Sequence, residues 1–401
     1  MRQGQRTPPG FGAIWSCVAL DLVGFGIVLP ILPLYAENER FGADAATVGI
    51  LVASFSLAQL VFAPVTGWLS DRVGRKPVLV LSLAGTSVGS LITGLAGSLW
   101  VLFLGRVLDG ISGSSVSVAQ AAVADLAPPE QRARLLGYLG AAFGVGFVAG
   151  PAIGALAVLG GIHVPFIVVA VIAGINALVA LRRLPETRPL PVTRANRPEP
   201  APEPPRAPLT GPDGAMGVAG YITVTFVALV AFSAFEATFA LFVERRLDLR
   251  MVSIYVTFVG VGVLITLVQV GLVHPCVRRM GEGATVRLGL LLNAGGMLVL
   301  AAVQSWITLL PALVLLTVGQ GLITPVLSSL VAGAAAVGRR GGTLGVQQAA
   351  GGLARVIGPV AGGFLLQFAG LSAPYMAGAA LLAATVLLMR APLRAEVPAA
   401  P

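Results

Sequence analysis

The feature that most constrains this chain is the recurrence of apolar runs near 20 residues, about the length a helix needs to cross a bilayer. Twelve can be placed, at about 11–36, 46–69, 77–97, 99–121, 134–158, 161–181, 218–243, 251–273, 284–303, 306–333, 343–368 and 371–391. The fold class they predict is all-α integral membrane, with twelve transmembrane helices. Composition agrees: 56% of residues are hydrophobic and 11% charged, against roughly 25% charged in ordinary soluble domains. The 51 glycines suit the close approach of membrane helices. Interruptions by Gly and Pro predict that spans 5 and 11 are the least regular. Arg2 and Arg6 precede the first run, which ends in Pro30, Pro33 and acidic residues and not in a small-residue cleavage site. A retained first span, and no cleaved signal peptide, is therefore expected.

An even number of spans puts both termini on one side. Of the 26 basic residues, twenty fall in the termini and the loops of that side, and four (Arg40, Arg245, Arg246, Arg250) in loops of the other, while Arg106 and Arg355 lie within spans. The positive-inside rule makes both termini cytoplasmic and the site of action a cell membrane crossed many times. Residues 182–217 hold ten prolines and several charges without apolar periodicity; they read as a solvated linker. It divides the chain into a six-helix unit at 1–181 and another at 218–401. The two units are related. A shift of 207 puts Pro33-Leu34-Tyr35 on Ala240-Leu241-Phe242, and Gly67, Arg72 and Gly74 on His274, Arg279 and Gly281; a shift of 208 puts Gly150-Pro151 and Gly154 on Gly358-Pro359 and Gly362. Duplicated six-span units are the mark of secondary transporters that rock two halves about a midplane site.

Several function classes drop out. Cys17 and Cys276 lie in or beside apolar segments, which implies no disulfide framework. His163 and His274 are far apart, so no metal site is expected. Lys76 is the only lysine and Pro77 follows it, so there is no Walker A loop and no drive from ATP. A net charge of +9 could suggest nucleic acid, but the arginines sit in short loops where they set orientation. No nucleophile–base set points to an enzyme. The expected partners are a small-molecule substrate, protons and lipid, with no nucleic acid, no cofactor beyond the proton gradient as energy source, and a monomeric chain.

Gly67-Trp-Leu-Ser-Asp71-Arg72-Val-Gly74-Arg75-Lys76-Pro77 joins spans 2 and 3 and carries four charges within six residues. Its glycines let the chain turn, its cations hold the loop on the cytoplasmic side, and Pro77 opens the next helix where no N–H is needed. Asp125, ending span 4 at the same face, could join Asp71 and Arg75 in a cluster that holds the cytoplasmic ends closed; the plainer reading is a solvated aspartate. Ionisable groups inside spans cost a few kcal/mol or more each and are the candidates for chemistry. Asp21 lies about ten residues, or ~15 Å, into span 1. Asp109 is similarly deep in span 4, with Arg106 a turn away, as a proton carrier or as half of a structural pair. A carboxyl group shielded from water is cheaper to keep neutral than charged, which suits it to proton carriage. Glu236, some seven residues from the outer end of span 7, could serve the substrate or a proton or simply lie near the rim, and Arg355 in span 11 reads as structural. Phe25, Gln320 and Gln348 are further candidates to line a cavity, the Phe25 ring being equally suited to packing or to facing lipid. Gly146, Gly150, Pro151 and Gly154 give span 5 a smooth face and a proline kink.

At these residues the chain resembles the major facilitator superfamily, and within it the twelve-span drug:proton antiporters, over nearly its whole length. The loop from Gly67 to Lys76, with Asp71, Arg72, Gly74 and Arg75, is similar to that family's loop 2–3 motif. Leu104-Gly-Arg106-x-x-Asp109-Gly110 resembles its span 4 motif, with an acid at 109 where the family's residue is not acidic. Gly146-x-x-x-Gly150-Pro151-x-x-Gly154-Ala155 resembles the span 5 antiporter signature. The pattern is closest to the tetracycline-efflux branch, although span 9, whose most polar residue is Asn293, lacks that branch's acid. The resemblance implies two pseudo-symmetric six-helix bundles, export of a small amphipathic compound against inward proton flow, a part for Arg106 in proton coupling, with Asp21 and Asp109 the carriers that their depth in the spans suggests, and a gate at Asp71, Arg75 and Asp125. A dedicated exporter of one metabolite, sugar or natural product on the same fold is the alternative.

Overall fold

The computed structural model describes residues 7–113, 115–127, 129–187, 217–335 and 340–389. Most of the linker read at 182–217 lies outside them, as does the end of span 12 beyond 389. Thirteen α-helices run through the described residues: α1 (Phe11–Glu37), α2 (Ala45–Val73), α3 (Arg75–Gly94), α4 (Leu99–Ser112), α5 (Ser115–Leu126), α6 (Pro129–Ala157), α7 (Val164–Arg183), α8 (Val218–Leu247), α9 (Met251–Gly271), α10 (Val273–Ala301), α11 (Trp306–Ala334), α12 (Arg340–Phe368) and α13 (Ala373–Leu388). Helix is what an apolar chain must form in lipid, since only then are its backbone groups satisfied within the segment. Among the described residues eleven segments are long and apolar enough to cross a membrane, α4 and α5 together counting as one, and α13 is a shorter apolar helix in the place of the twelfth. Large apolar side chains such as Trp100, Ile307 and Val270 are exposed on the bundle's outside, as a lipid-facing surface requires.

Spans 5 and 11 are more regular than expected. Both α6 and α12 continue through their prolines, Pro151 and Pro359. A helix proline leaves the carbonyl four residues back without its donor. For Pro151 that is the carbonyl of Phe147, and Gly262 of α9 packs directly against it. The neighbouring helix shields what the proline exposes.

The internal duplication recurs in backbone geometry. Gly74 between α2 and α3 has φ 104° and ψ 159°, and Gly281, 207 residues on, breaks α10 with φ 81° and ψ 166°. Only glycine takes that conformation without strain. A Cβ at Gly150 would lie 2.7 Å from the Val23 carbonyl oxygen; at Gly358 it would lie 2.6 Å from that of Val230. So α1 meets α6 as α8 meets α12.

The halves join unevenly along the membrane normal. At the end distal to the termini, Glu37 of α1 forms an ion pair with Arg245 of α8, and the Ala45 N–H donates to Gln367 Oε1 at 3.3 Å. Gly49 of α2 packs on Pro359 and Gly363 of α12, and Gly154 of α6 on the Tyr255 ring of α9. The Tyr255 hydroxyl donates to the Ile27 carbonyl at 2.8 Å. One apolar core runs through both halves here, whereas the core around Phe11, Ile14, Leu79 and Leu135 near the termini belongs to the first six spans alone. Along α2, Ala45, Ala46, Val48, Gly49 and Leu51 are buried, while Val61, Phe62, Val65 and Trp68 are exposed. The bundle is closed at its distal end and parted at the end of its termini.

Candidate functional site

Where the halves part, a cavity lies between them. The first half lines it with Phe25, Val28, Leu29 and Leu32 of α1, Val52, Phe55 and Ser56 of α2, Arg106 of α4 and Phe147 of α6. The second half contributes Ser233, Glu236 and Ala237 of α8, and Arg355 and Pro359 of α12. The rings of Phe25, Phe55 and Phe147 stand together, with centroids 6.1 Å and 6.2 Å from Phe25. Proximity of these helices depends on small residues: the α1–α6 crossing brings Gly26 against Gly146 and Gly150, which is the work done by that part of the span 5 signature. Pro151 belongs to the same crossing, and Gly154 gives its space to Tyr255.

The buried charges of the first half are paired. Arg106 Nη1 donates to Asp109 Oδ2 at 2.7 Å across one helical turn, with both side chains under a tenth exposed. The Arg106 guanidinium also sits 4.6 Å from the Phe55 ring centroid, a cation–π contact. Among the described residues its Nε, also buried, has no hydrogen-bond partner. Asp21 stands apart from this pair: its Oδ2 accepts from the Ser115 hydroxyl at 2.5 Å. One half thus holds a neutralised pair that reaches the cavity through Arg106, and a separate carboxyl group bound by a hydroxyl.

Of the other cavity candidates, Phe25 and Glu236 are on its wall. Gln320 is not: it accepts from Asn293 Nδ2 at 3.0 Å and donates to Thr324 at 3.3 Å, binding α11 to α10. Gln348 is exposed and outside the lining, while its neighbour Gln347 is buried against Thr225. Helical position alone could not tell which of two adjacent glutamines turns inward.

The loop between α2 and α3 forms the expected charge cluster, but all of it lies within the first half and it is intact with the ends beside the termini parted, so it does not hold those ends closed in this state. Arg75 reaches Asp71 Oδ1 through Nη2 and Asp125 Oδ2 through Nε, both at 2.9 Å, and donates to the Ser70 hydroxyl at 2.6 Å. These residues staple α2, α3 and α5 of the first half. Arg72 stacks on Trp68 at 4.0 Å. Gly67 is under no local crowding, for a Cβ there would meet nothing within 4 Å. Sequence reading missed a further member. Glu186, just beyond α7, accepts the backbone N–H groups of Arg75 at 2.9 Å and Lys76 at 3.2 Å. It caps the first turn of α3, where Gly74 has no side chain to offer. An acid following a span, opposite an uncapped helix start on the same side, was the available signal. Ser115 and Phe55 carried no signal, being ordinary residues made relevant by what they face.

A family model described as Major Facilitator Superfamily matches residues 14–283 and 272–401. The chain is 34% identical over 325 residues to the class C tetracycline resistance protein of Escherichia coli, covering 79% of this chain and 80% of that one. It is 28% identical over 351 residues to multidrug resistance protein 1 of Bacillus subtilis, covering 86% and 87%. Among solved structures it is similar to the human organic anion transporter MFSD10, with TM-score 0.69 and 26% identity over 96% of this chain and 100% of that one. With a cavity between two related halves and relatives of this kind, it is a membrane transporter and not an enzyme. The chain belongs to the major facilitator superfamily.

Proposed function

We propose that the protein is a proton-coupled secondary transporter that exports small amphipathic drugs or toxic compounds by alternating access. The observation that carries the reading is the cavity between the halves, closed at its distal end and lined by Arg106, which is itself bound to the buried Asp109. The distribution of arginines supports cytoplasmic termini, and in that orientation this state opens inward to collect its substrate. A substrate contacting Arg106 alters how that guanidinium shares its charge with Asp109, and protonation of Asp109 frees Arg106 towards the cavity. Asp21, held by a single hydroxyl, is the second carrier. A proton or a substrate moves the equilibrium between inward-open and outward-open states only by binding one of them better. The energy source is the proton gradient, without a cofactor, and the chain acts as a monomer in lipid. The Asp71–Arg75–Asp125 cluster and the Glu186 cap belong to the cytoplasmic gate, holding α2, α3 and α5 as one body while the halves move.

The test uses purified protein in liposomes with an acidic lumen and a pH-sensitive dye, challenged with amphipathic drugs. Wild type is expected to leak protons when drug is added, and Asp21→Asn or Asp109→Asn to lose that leak. A wild type that moves drug without moving protons would sink the coupling.

A further inference from the structure

Glu236, half-buried, and Arg355, exposed, differ from the buried charges of the first half. Both line the cavity, and each is in electrostatic range of the other. Yet among the described residues neither forms a hydrogen bond or an ion pair, in contrast to Arg106 and Asp109 at 2.7 Å. Charges placed inside membrane spans are costly unless something answers them. Here the protein leaves that answer open.

The duplication shows that the fold does not need this pair. Counted back by 207 and 208 residues, Glu236 corresponds to Leu29 and Arg355 to Phe147, and both of those line the same cavity. Each of these two scaffold positions therefore holds an apolar residue in the first half and a charge in the second. The result is a two-faced chamber: an aromatic wall of Phe25, Phe55 and Phe147, whose cation Arg106 is already paired with Asp109, and opposite it an acid and a base on adjacent helices, α8 and α12.

From this we infer that the cavity recognises an amphipathic zwitterion, its cationic group bound by Glu236, its acidic group by Arg355, and its flat apolar body laid against Phe25, Phe55 and Phe147. A guanidinium takes a carboxylate in a planar, two-pronged contact, and a carboxylate takes an ammonium. A ligand carrying only one of the two charges forgoes one of these two charge-assisted contacts.

This inference names the substrate class of the transporter proposed above and rests on that reading, but its test needs no gradient. Three probes share a dansyl body and chain length: ε-dansyl-lysine is a zwitterion, dansylcadaverine a cation and dansyl-6-aminohexanoic acid an anion. Binding to the purified full-length protein in nanodiscs is read by fluorescence polarisation. Wild type is expected to bind the zwitterion about tenfold or more tightly than either other probe. Arg355→Gln should erase its advantage over the cation, and Glu236→Gln its advantage over the anion, each leaving the probe that lacks the affected group within about twofold. Equal binding of the three probes by wild type, or no binding of the zwitterion, overturns the inference whether or not the variants fold. So does a uniform loss for all three in folded variants, which marks the pair as structural. Selective zwitterion binding in a protein that shows no proton flux would leave this inference standing and refute the coupling instead.

Discussion

Closure of the distal end depends on Gly49, and an added methyl group there should open it. A Cβ at this position overlaps the Pro359 carbonyl oxygen and lies 3.1 Å from its carbon and 3.2 Å from the Gly363 Cα. All three are backbone atoms, which cannot rotate away. Since C···O contacts settle near 3.3 Å, α2 and α12 must part by about 1 Å, and overpacking of this kind costs about 1–3 kcal/mol. Alanine also favours helix over glycine by about 1 kcal/mol, but it does so in both states and cancels. Only the distal-closed state bears the clash, so Gly49→Ala should raise the distal-open population about 5- to 150-fold, at 1.4 kcal/mol per tenfold. The assay places a reporter cysteine at the cavity residue Val52, in a Cys17→Ala/Cys276→Ala background, and follows its reaction with an impermeant maleimide from the distal side. Gly260→Ala is the control, because a Cβ there meets nothing within 4 Å. A labelling rate in folded Gly49→Ala that equals the control's would refute the view that this contact latches the halves.

Tyr255→Phe removes the buried hydroxyl bond to the Ile27 carbonyl, worth about 1 kcal/mol; the same reporter should label about fivefold faster, and no change would show that the bond persists in both states. Glu186→Ala strips the acceptors from the Arg75 and Lys76 N–H groups and should cost about 1–2 kcal/mol of stability, read as a lower thermal midpoint; an unchanged midpoint rules out the cap. Asp44 caps α2 by accepting from the Thr47 N–H at 2.8 Å, and these hydrogen bonds to Thr47 hold its carboxyl below the usual 3.8. A lowered value means that stability is present above 3.8 and lost as pH falls through the folded value. Asp44→Ala should therefore cost about 1 kcal/mol at neutral pH, with the gap closing in acid below 3.8; a gap that does not depend on pH would contradict the assignment.

The spans were legible because a bilayer fixes their length, and the Asp71–Arg75–Asp125 cluster because opposite charges at one membrane face seek each other. Which face of each helix turns inward was much less so. In a soluble protein the apolar stripe of a helix marks its buried side. In lipid the outside is as apolar as the core, so that contrast vanishes. This is why Gln347 and Gln348 could not be told apart, why Gln320 was read into the cavity and is instead bonded to Asn293, and why Arg355, read as structural, stands on the cavity wall. The glycine pattern did better, since a missing side chain marks a close approach whatever the solvent, as at Gly146 and Gly150 against α1.

The duplication separates what the fold requires from what the activity requires. Features kept in both copies are mechanical: the left-handed hinges at Gly74 and Gly281, and the close crossings through Gly150 and Gly358. Features present in one copy serve a direction or a ligand. Asp71 has become Arg278, so the acid–base staple of the first half has no counterpart built the same way in the second. The paired Arg106 and Asp109 correspond to Leu313 and Leu316, both buried, while Leu29 and Phe147 correspond to the charges Glu236 and Arg355. A symmetric pair of bundles can rock equally well either way. Placing the neutralised pair in one half and the open charges in the other makes the two rocking states chemically different, and only such a difference lets a proton or a substrate choose between them.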